Sequence, residues 1–192
     1  MDYDTVFSTP FFQIEASSDR LADERGIPFY RMTGPDSVIC CAMTKLGEFI
    51  LVRQHRPNIG CATLEFPAGG ISINEQPANA AIREFAEETG MVCEFSPLGA
   101  FRLMMNRTNI REHIYFGIGP IAAPLIEKEP STEVVVLERS NFIDYCLTGR
   151  YQQLAGLGVV QLVSNYLGLD VLREPMGEIC REFTRRKDYE CA

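Results

Sequence analysis

The chain has 192 residues, 26 acidic against 18 basic, for a formal net charge of −8, with 46% hydrophobic and 23% charged residues. That balance excludes the disordered and fibrous classes and describes a folded, water-soluble protein with room for one sizeable core. With no basic block beyond the short stretch 181–187, long nucleic acid is excluded as a partner, and an anionic phosphate ligand would need cations brought to it, most simply metal ions.

Residues 6–15 and 28–32 read as short strands around a polar segment, 17–26, and are expected to form arms outside the main fold. Residues 37–43 and 48–54 are β-prone on either side of Lys45-Leu46-Gly47, a hairpin pattern. A short strand over 62–66 runs into the breaker Pro67-Ala68-Gly69-Gly70. Residues 74–89 then read as a helix, with Asn74 as its cap, Pro77 in the first turn, Gly90 as the stop and Ala81, Ile82 and Phe85 as the apolar stripe. Strands are expected at 98–103, 112–119 and 133–137, followed by a second helical region over 141–167 that is interrupted near 147–153 and around Gly156. Residues 173–192 mix charges with three-residue apolar spacing and read either as a last amphipathic helix or as a frayed end.

This order predicts an α+β fold, a mixed β-sheet sandwiched between helices (α/β/α). It divides as strand arms over 1–36, a main domain over 37–172 and a tail over 173–192. Seven cysteines without a CxxC pair or a matching histidine spacing support neither a zinc site nor a disulfide framework, and read as reduced thiols. No run approaches the roughly 18 apolar residues of a membrane span, so a cytoplasmic protein without a membrane partner is expected.

The chemistry is concentrated in 69–91. On a helix Glu84, Glu87 and Glu88 project from one side, and Arg83 lies one turn before Glu87. Acids crowded on one face are costly unless a cation sits among them, and oxygen-only ligands suit Mg²⁺ or Mn²⁺ rather than zinc. Just upstream, Ala68-Gly69-Gly70 leaves the backbone open to a metal or a phosphate.

Gly69, Glu75 and the run Arg83-Glu84-Phe85-Ala86-Glu87-Glu88-Thr89-Gly90-Met91 match the Nudix box at every specified position, and the chain is identified by resemblance with the Nudix hydrolases. The resemblance implies a Nudix fold with Glu84 and Glu88 as metal ligands, Glu87 joining them directly or through water, the Ala68 carbonyl as a further ligand, and Arg83 and Glu75 as orienting residues. Upstream, Leu51-Val52-Arg53-Gln54-His55-Arg56 and Leu64-Glu65-Phe66-Pro67-Ala68-Gly69 resemble the ADP-ribose and nucleoside-diphosphate-sugar pyrophosphatases. That subfamily implies substrate contacts from Arg56, Glu65 and Gly69, and a homodimer whose exchanged N-terminal strands bring a stacking ring, here Phe11, Phe12, Phe29 or Tyr30. Its catalytic base lies on an acidic loop after the next strand, which offers Glu129 first and Glu133 second.

One departure concerns substrate. Arg107 stands where ADP-ribose hydrolases commonly carry a proline, and Arg107, Arg111 and Glu112 are candidate contacts to a phosphate or sugar. His113, one of two histidines, is a possible base or an ordinary strand residue. The expected activity is hydrolysis of the diphosphate bond of a small nucleoside diphosphate derivative, an ADP-ribose-like nucleotide sugar. Hydrolysis of a nucleoside triphosphate or dinucleoside polyphosphate is the alternative within enzymes. A non-catalytic nucleotide-sugar-binding regulator is the alternative outside them, and would be marked by loss of Glu84 or Glu88.

Overall fold

A computed structural model describes residues 2–18, 23–123 and 125–190, so part of the polar segment 17–26 and the end of the tail lie outside the described residues. The first three strands, β1 (Tyr3–Ser8), β2 (Gln13–Ser17) and β3 (Tyr30–Thr33), form an antiparallel sheet of their own. It joins the rest of the chain where the Met32 amide donates to the Arg107 carbonyl at 2.8 Å, beside a bridge between Met32 and Thr108. The sheet leaves Val6, Phe7, Phe29 and Tyr30 exposed, together with Phe11 in its first turn.

The remaining long strands make one mixed sheet: β4 (Ser37–Met43), β5 (Glu48–Arg56), β6 (Cys61–Glu65), β7 (Ala68–Gly70), β9 (Phe95–Phe101), β10 (Glu112–Ile118) and β12 (Thr132–Glu138). Its spine runs β12-β5-β4-β10-β9, with β6 paired to β5 and β7 to β4; β4 and β10 are parallel and the other pairs antiparallel. The two-residue strands β8 (Met91–Val92) and β11 (Ile121–Ala122) pair beside it. Helix α1 (Pro77–Thr89) covers one face, and α2 (Arg139–Leu147), α3 (Leu154–Leu167) and α4 (Met176–Glu190) lie on the side of the other.

Alternation along β4 explains these layers. Ile39, Cys41 and Met43 join Phe49, Leu51, Val159, Val163, Ile179 and Phe183 on one side, while Val38, Cys40 and Ala42 meet Ala80, Ala81 and Phe85 of α1 on the other. A strand buried on both faces reads as a continuous apolar run, which is what 38–43 is. Residues 176–190 are helical, and Ile179 and Phe183 are part of this core.

Four local expectations change. Ile82 is exposed, and Ala80 joins Ala81 and Phe85 on the buried side of α1 in its place. Asn74 does not cap the helix: it holds a left-handed φ of 64° in the turn before it, and α1 starts at Pro77, whose missing N–H costs nothing at a first helical position. Residues 68–70 form a strand rather than a simple break, because Gly70, Gly69 and Ala68 pair in register with Ser37, Val38 and Ile39. Gly156 sits inside α3; the Tyr151 hydroxyl fills the space its Cβ would need, so this glycine serves packing and not a break.

Phe66 anchors the site from beneath, edge-on to Phe49 with centroids 5.6 Å apart and close to Phe142 at 6.1 Å and Tyr151 at 6.3 Å. Phe66→Ala is expected to cost about 3–5 kcal/mol, the range for emptying an aromatic site in a packed core. Urea denaturation should show the midpoint falling with the slope unchanged. Among the described residues all six cysteines are free, and no helix is long and apolar enough to cross a membrane.

Candidate active site

Strand β7 and helix α1 place the box residues together. Glu88, 5% exposed, accepts a hydrogen bond from the Ala68 amide at 2.9 Å, so the last turn of α1 is tied to the start of the glycine turn. Gly69 lies against the Glu84 carboxylate so closely that a Cβ there would stand far inside van der Waals contact with it. Only glycine leaves that space to the acid.

Arg83 organises the other acids. Its Nε and one terminal nitrogen donate to Glu75 at 2.9 and 2.8 Å, the latter also to the Gly70 carbonyl at 3.0 Å, and the second terminal nitrogen reaches Glu84 at 2.6 Å and Glu87 at 3.1 Å. The fork geometry of guanidinium makes this spread possible. The Arg83 bonds, helped by the Ser72 amide, bring the Glu75 carboxyl down to about 2. Glu84 moves the other way: burial raises it, Arg83 offsets part of the rise, and the charges of Glu87 and Glu129 add to it. Glu88 is pushed up to about 7 by burial and by the charges of Glu84 and Glu129, against the lowering effect of the Ala68 amide.

Across the site, Glu65 is 6% exposed and receives two bonds from Arg56, at 2.8 and 2.6 Å, one from the Thr63 hydroxyl at 2.5 Å and a longer one from Gln153 at 3.4 Å. Burial raises its pKa, and the Arg56 and Thr63 bonds outweigh that and bring it below the usual range. Arg56 remains partly exposed at the end of β5, and the charge of Glu88 reaches it. A carboxylate so fully engaged holds the arginine in place and has little left for a ligand.

The two loop acids part company. Glu129 donates its backbone N–H to the Glu87 carbonyl at 2.7 Å, and its charge is felt at both Glu84 and Glu88. Glu133 pairs with Arg53 at 2.9 Å, its cross-strand neighbour on the sheet face opposite Val134, which packs toward α1. Arg107 lines a cavity of about 830 Å³ between the N-terminal sheet and residues 102–109, with Arg25, Phe29, Tyr30, Arg31 and Arg102. Glu112 starts β10, where burial raises its carboxyl. Neither Arg107 nor Glu112 is hydrogen bonded or ion paired to the box among the described residues. Arg111 and His113 converge on Asp36 at 3.0 and 3.3 Å, which makes them a structural clasp between β10 and the start of β4. Sequence reasoning missed Thr63 and Gln153 as partners of Glu65, and no local pattern marks a bond that spans 88 positions.

The donor set is made of hard oxygens: Glu84 and Glu88, with Glu87 beside them and the Ala68 backbone at the turn. Among the described residues no three His, Cys, Asp or Glu side chains stand close enough together to hold an ion as they are placed. Yet a buried and a half-buried carboxylate with raised pKa, one seated where only glycine leaves room, are hard-oxygen groups of the kind a divalent cation takes. The residues fit such an ion.

A domain model described as NUDIX domain matches residues 34–143. The chain is 55% identical over 51 residues to an ADP-sugar pyrophosphatase of Mus musculus, covering 25% of this chain and 23% of that protein. It is 39% identical over 56 residues to an ADP-ribose pyrophosphatase of Bacillus subtilis strain 168, covering 29% and 30%. A methanol dehydrogenase activator of Bacillus methanolicus is 37% identical over 60 residues, covering 31% and 32%. The matched stretches span between about a quarter and a third of these curated relatives. By structure, a crystal structure of an ADP compounds hydrolase superposes with a TM-score of 0.71 over 88% of this chain and 92% of that one, at 19% identity, a likeness of fold. With the domain model spanning 34–143 of 192 residues and every charged position of the box in place around α1, the chain belongs to the Nudix family.

Proposed function

We propose that the protein hydrolyses the diphosphate bond of a nucleoside diphosphate sugar of the ADP-ribose class, with Mg²⁺ or Mn²⁺, to a nucleoside monophosphate and a sugar phosphate. The observation that carries this is the joint placement of Glu84 and Glu88 against the Gly69 turn, with the backbone of Glu129 bonded to the last turn of the same helix. Two of the curated relatives above are pyrophosphatases of ADP-sugar or ADP-ribose, which supports the substrate class.

Glu84 and Glu88, with Glu87 and the Ala68 carbonyl, would hold the metal. When bound, such an ion offsets diphosphate charge and lowers the pKa of a water. The other work falls to the chain. Glu129 takes a proton from the attacking water, whose oxygen joins one phosphorus while the bridging oxygen leaves with the other. Arg56, clamped by Glu65, directs positive charge toward the diphosphate, and Arg83 keeps Glu84 and Glu87 from swinging apart.

The test is a screen of ADP-ribose, GDP-mannose, UDP-glucose, diadenosine polyphosphates and nucleoside triphosphates with Mg²⁺ or Mn²⁺, with the products identified. Cleavage of a nucleotide sugar to the monophosphate pair is the expected result. Turnover of triphosphates or dinucleoside polyphosphates alone would replace the substrate class, and binding without turnover of any substrate would place the protein among regulators.

A further inference from the structure

The C-terminal carbonyls of a helix have no partners within it and must find them elsewhere. In α1 those of Glu87, Glu88 and the capping Gly90 are taken up by the chain between β11 and the start of β12, which carries Glu129. The Glu87 carbonyl accepts the Glu129 amide at 2.7 Å, the Gly90 carbonyl accepts the Ala123 amide at 2.9 Å, and the Glu88 carbonyl accepts the hydroxyl of Thr132 at 2.9 Å. That same hydroxyl lies 3.1 Å from the Glu129 carbonyl, which also receives the Thr132 amide at 3.3 Å. Thr132 is 5% exposed and opens β12 opposite Gln54, so its position is set by the sheet. The Lys128 ammonium is hydrogen bonded to the Thr132 carbonyl and closes the turn from outside.

The Glu129 carboxylate itself is held lightly: among the described residues its only side-chain hydrogen bond is from the Ser131 hydroxyl at 3.5 Å. Where it points is therefore decided by its backbone, and the backbone is fastened to α1 by its own amide and, through the turn, by Thr132. We propose that Thr132 is a positioning residue, whose buried hydroxyl docks the acid loop onto the last turn of α1 and so aims Glu129 at Glu84 and Glu88. The inference rests on the reading of Glu129 as the base, and it adds a structural element that the box does not contain.

Valine has the shape of threonine without the hydroxyl, so Thr132→Val removes the dock while filling the same space, and Thr132→Ser restores it. Two readouts keep the question separate from folding and from the identity of the base. In hydrogen–deuterium exchange of the full chain without added metal, residues 126–131 of Thr132→Val should exchange at least about tenfold faster than in the wild type, with the middle of α1 unchanged and Thr132→Ser like the wild type. In steady-state kinetics with ADP-ribose and Mg²⁺, Thr132→Val should lower kcat about tenfold with KM nearly constant, Thr132→Ser should recover most of it, and Thr132→Val should add little once Glu129→Gln is present. Unchanged exchange in Thr132→Val, or losses that multiply in the double variant, would overturn the positioning role. Full kcat in Glu129→Gln would instead remove Glu129 as base, with the exchange experiment still deciding the dock.

Discussion

Glu88→Gln is expected to fold as the wild type does and to lose about a thousandfold in kcat with the best substrate of the screen, because the amide keeps the shape of the acid while surrendering its charge. Folding should survive for two reasons. The glutamine carbonyl can still accept the Ala68 amide that Glu88 accepts at 2.9 Å, and the neutral group no longer stands buried beside the charges of Glu84 and Glu129. Catalysis should not survive, because the proposed metal ligand has lost its charge, and the charge stabilisation a bound metal supplies is worth several kcal/mol, on the order of a thousandfold in rate. A melting temperature in EDTA at or above that of the wild type, beside the collapsed kcat, is the expected pair of measurements. Retained turnover would remove Glu88 from the metal site.

Gly69→Ala adds one methyl group and is expected to cost about a hundredfold, the scale of misplacing a catalytic group by about an ångström. The backbone at Gly69 is ordinary strand paired with Val38, so alanine suits the conformation, and the difficulty lies with space alone. The new carbon would occupy the place of the Glu84 carboxylate, which must then swing away and strain its 2.6 Å bond to Arg83. Gly70, whose Cβ would meet nothing within 4 Å, is the control: Gly70→Ala should keep most of its activity. The two variants compared in kcat, with Tm for each, separate a crowded carboxylate from a disturbed turn.

Much of this is legible in the sequence alone. The continuous apolar run 38–43 marks a strand buried on both faces, and the charged positions from Gly69 to Met91 mark the acids and their arginine. Helix starts were harder: Asn74 is a good cap by residue type, but the Ser72 amide bonds to Glu75 and closes a separate turn, which leaves Pro77 to begin the helix. The strand at Ala68–Gly70 was hidden because glycines carry no β-propensity and the pairing is imposed by β4. The different surroundings of Glu129 and Glu133 needed the register, since four positions along the chain separate an acid whose amide is bonded to the last turn of α1 from one paired with Arg53 across the sheet. Thr132 could not be seen at all, for its partner lies 44 residues away.

The floor of the site hangs from the least accessible strand of the molecule. Ala68, Gly69 and Gly70 borrow their hydrogen bonds from β4, whose residues 38–43 are essentially without solvent contact, whereas the acid loop is fastened by a handful of bonds at the rim. Opening β4 amounts to unfolding the domain, so the turn Ala68–Gly70 and the loop that carries Glu129, the proposed base, belong to different cooperative units. Heat or denaturant would thus act in two stages, with the proposed proton acceptor Glu129 drifting off while the turn beneath Glu84 and Glu88 is still intact.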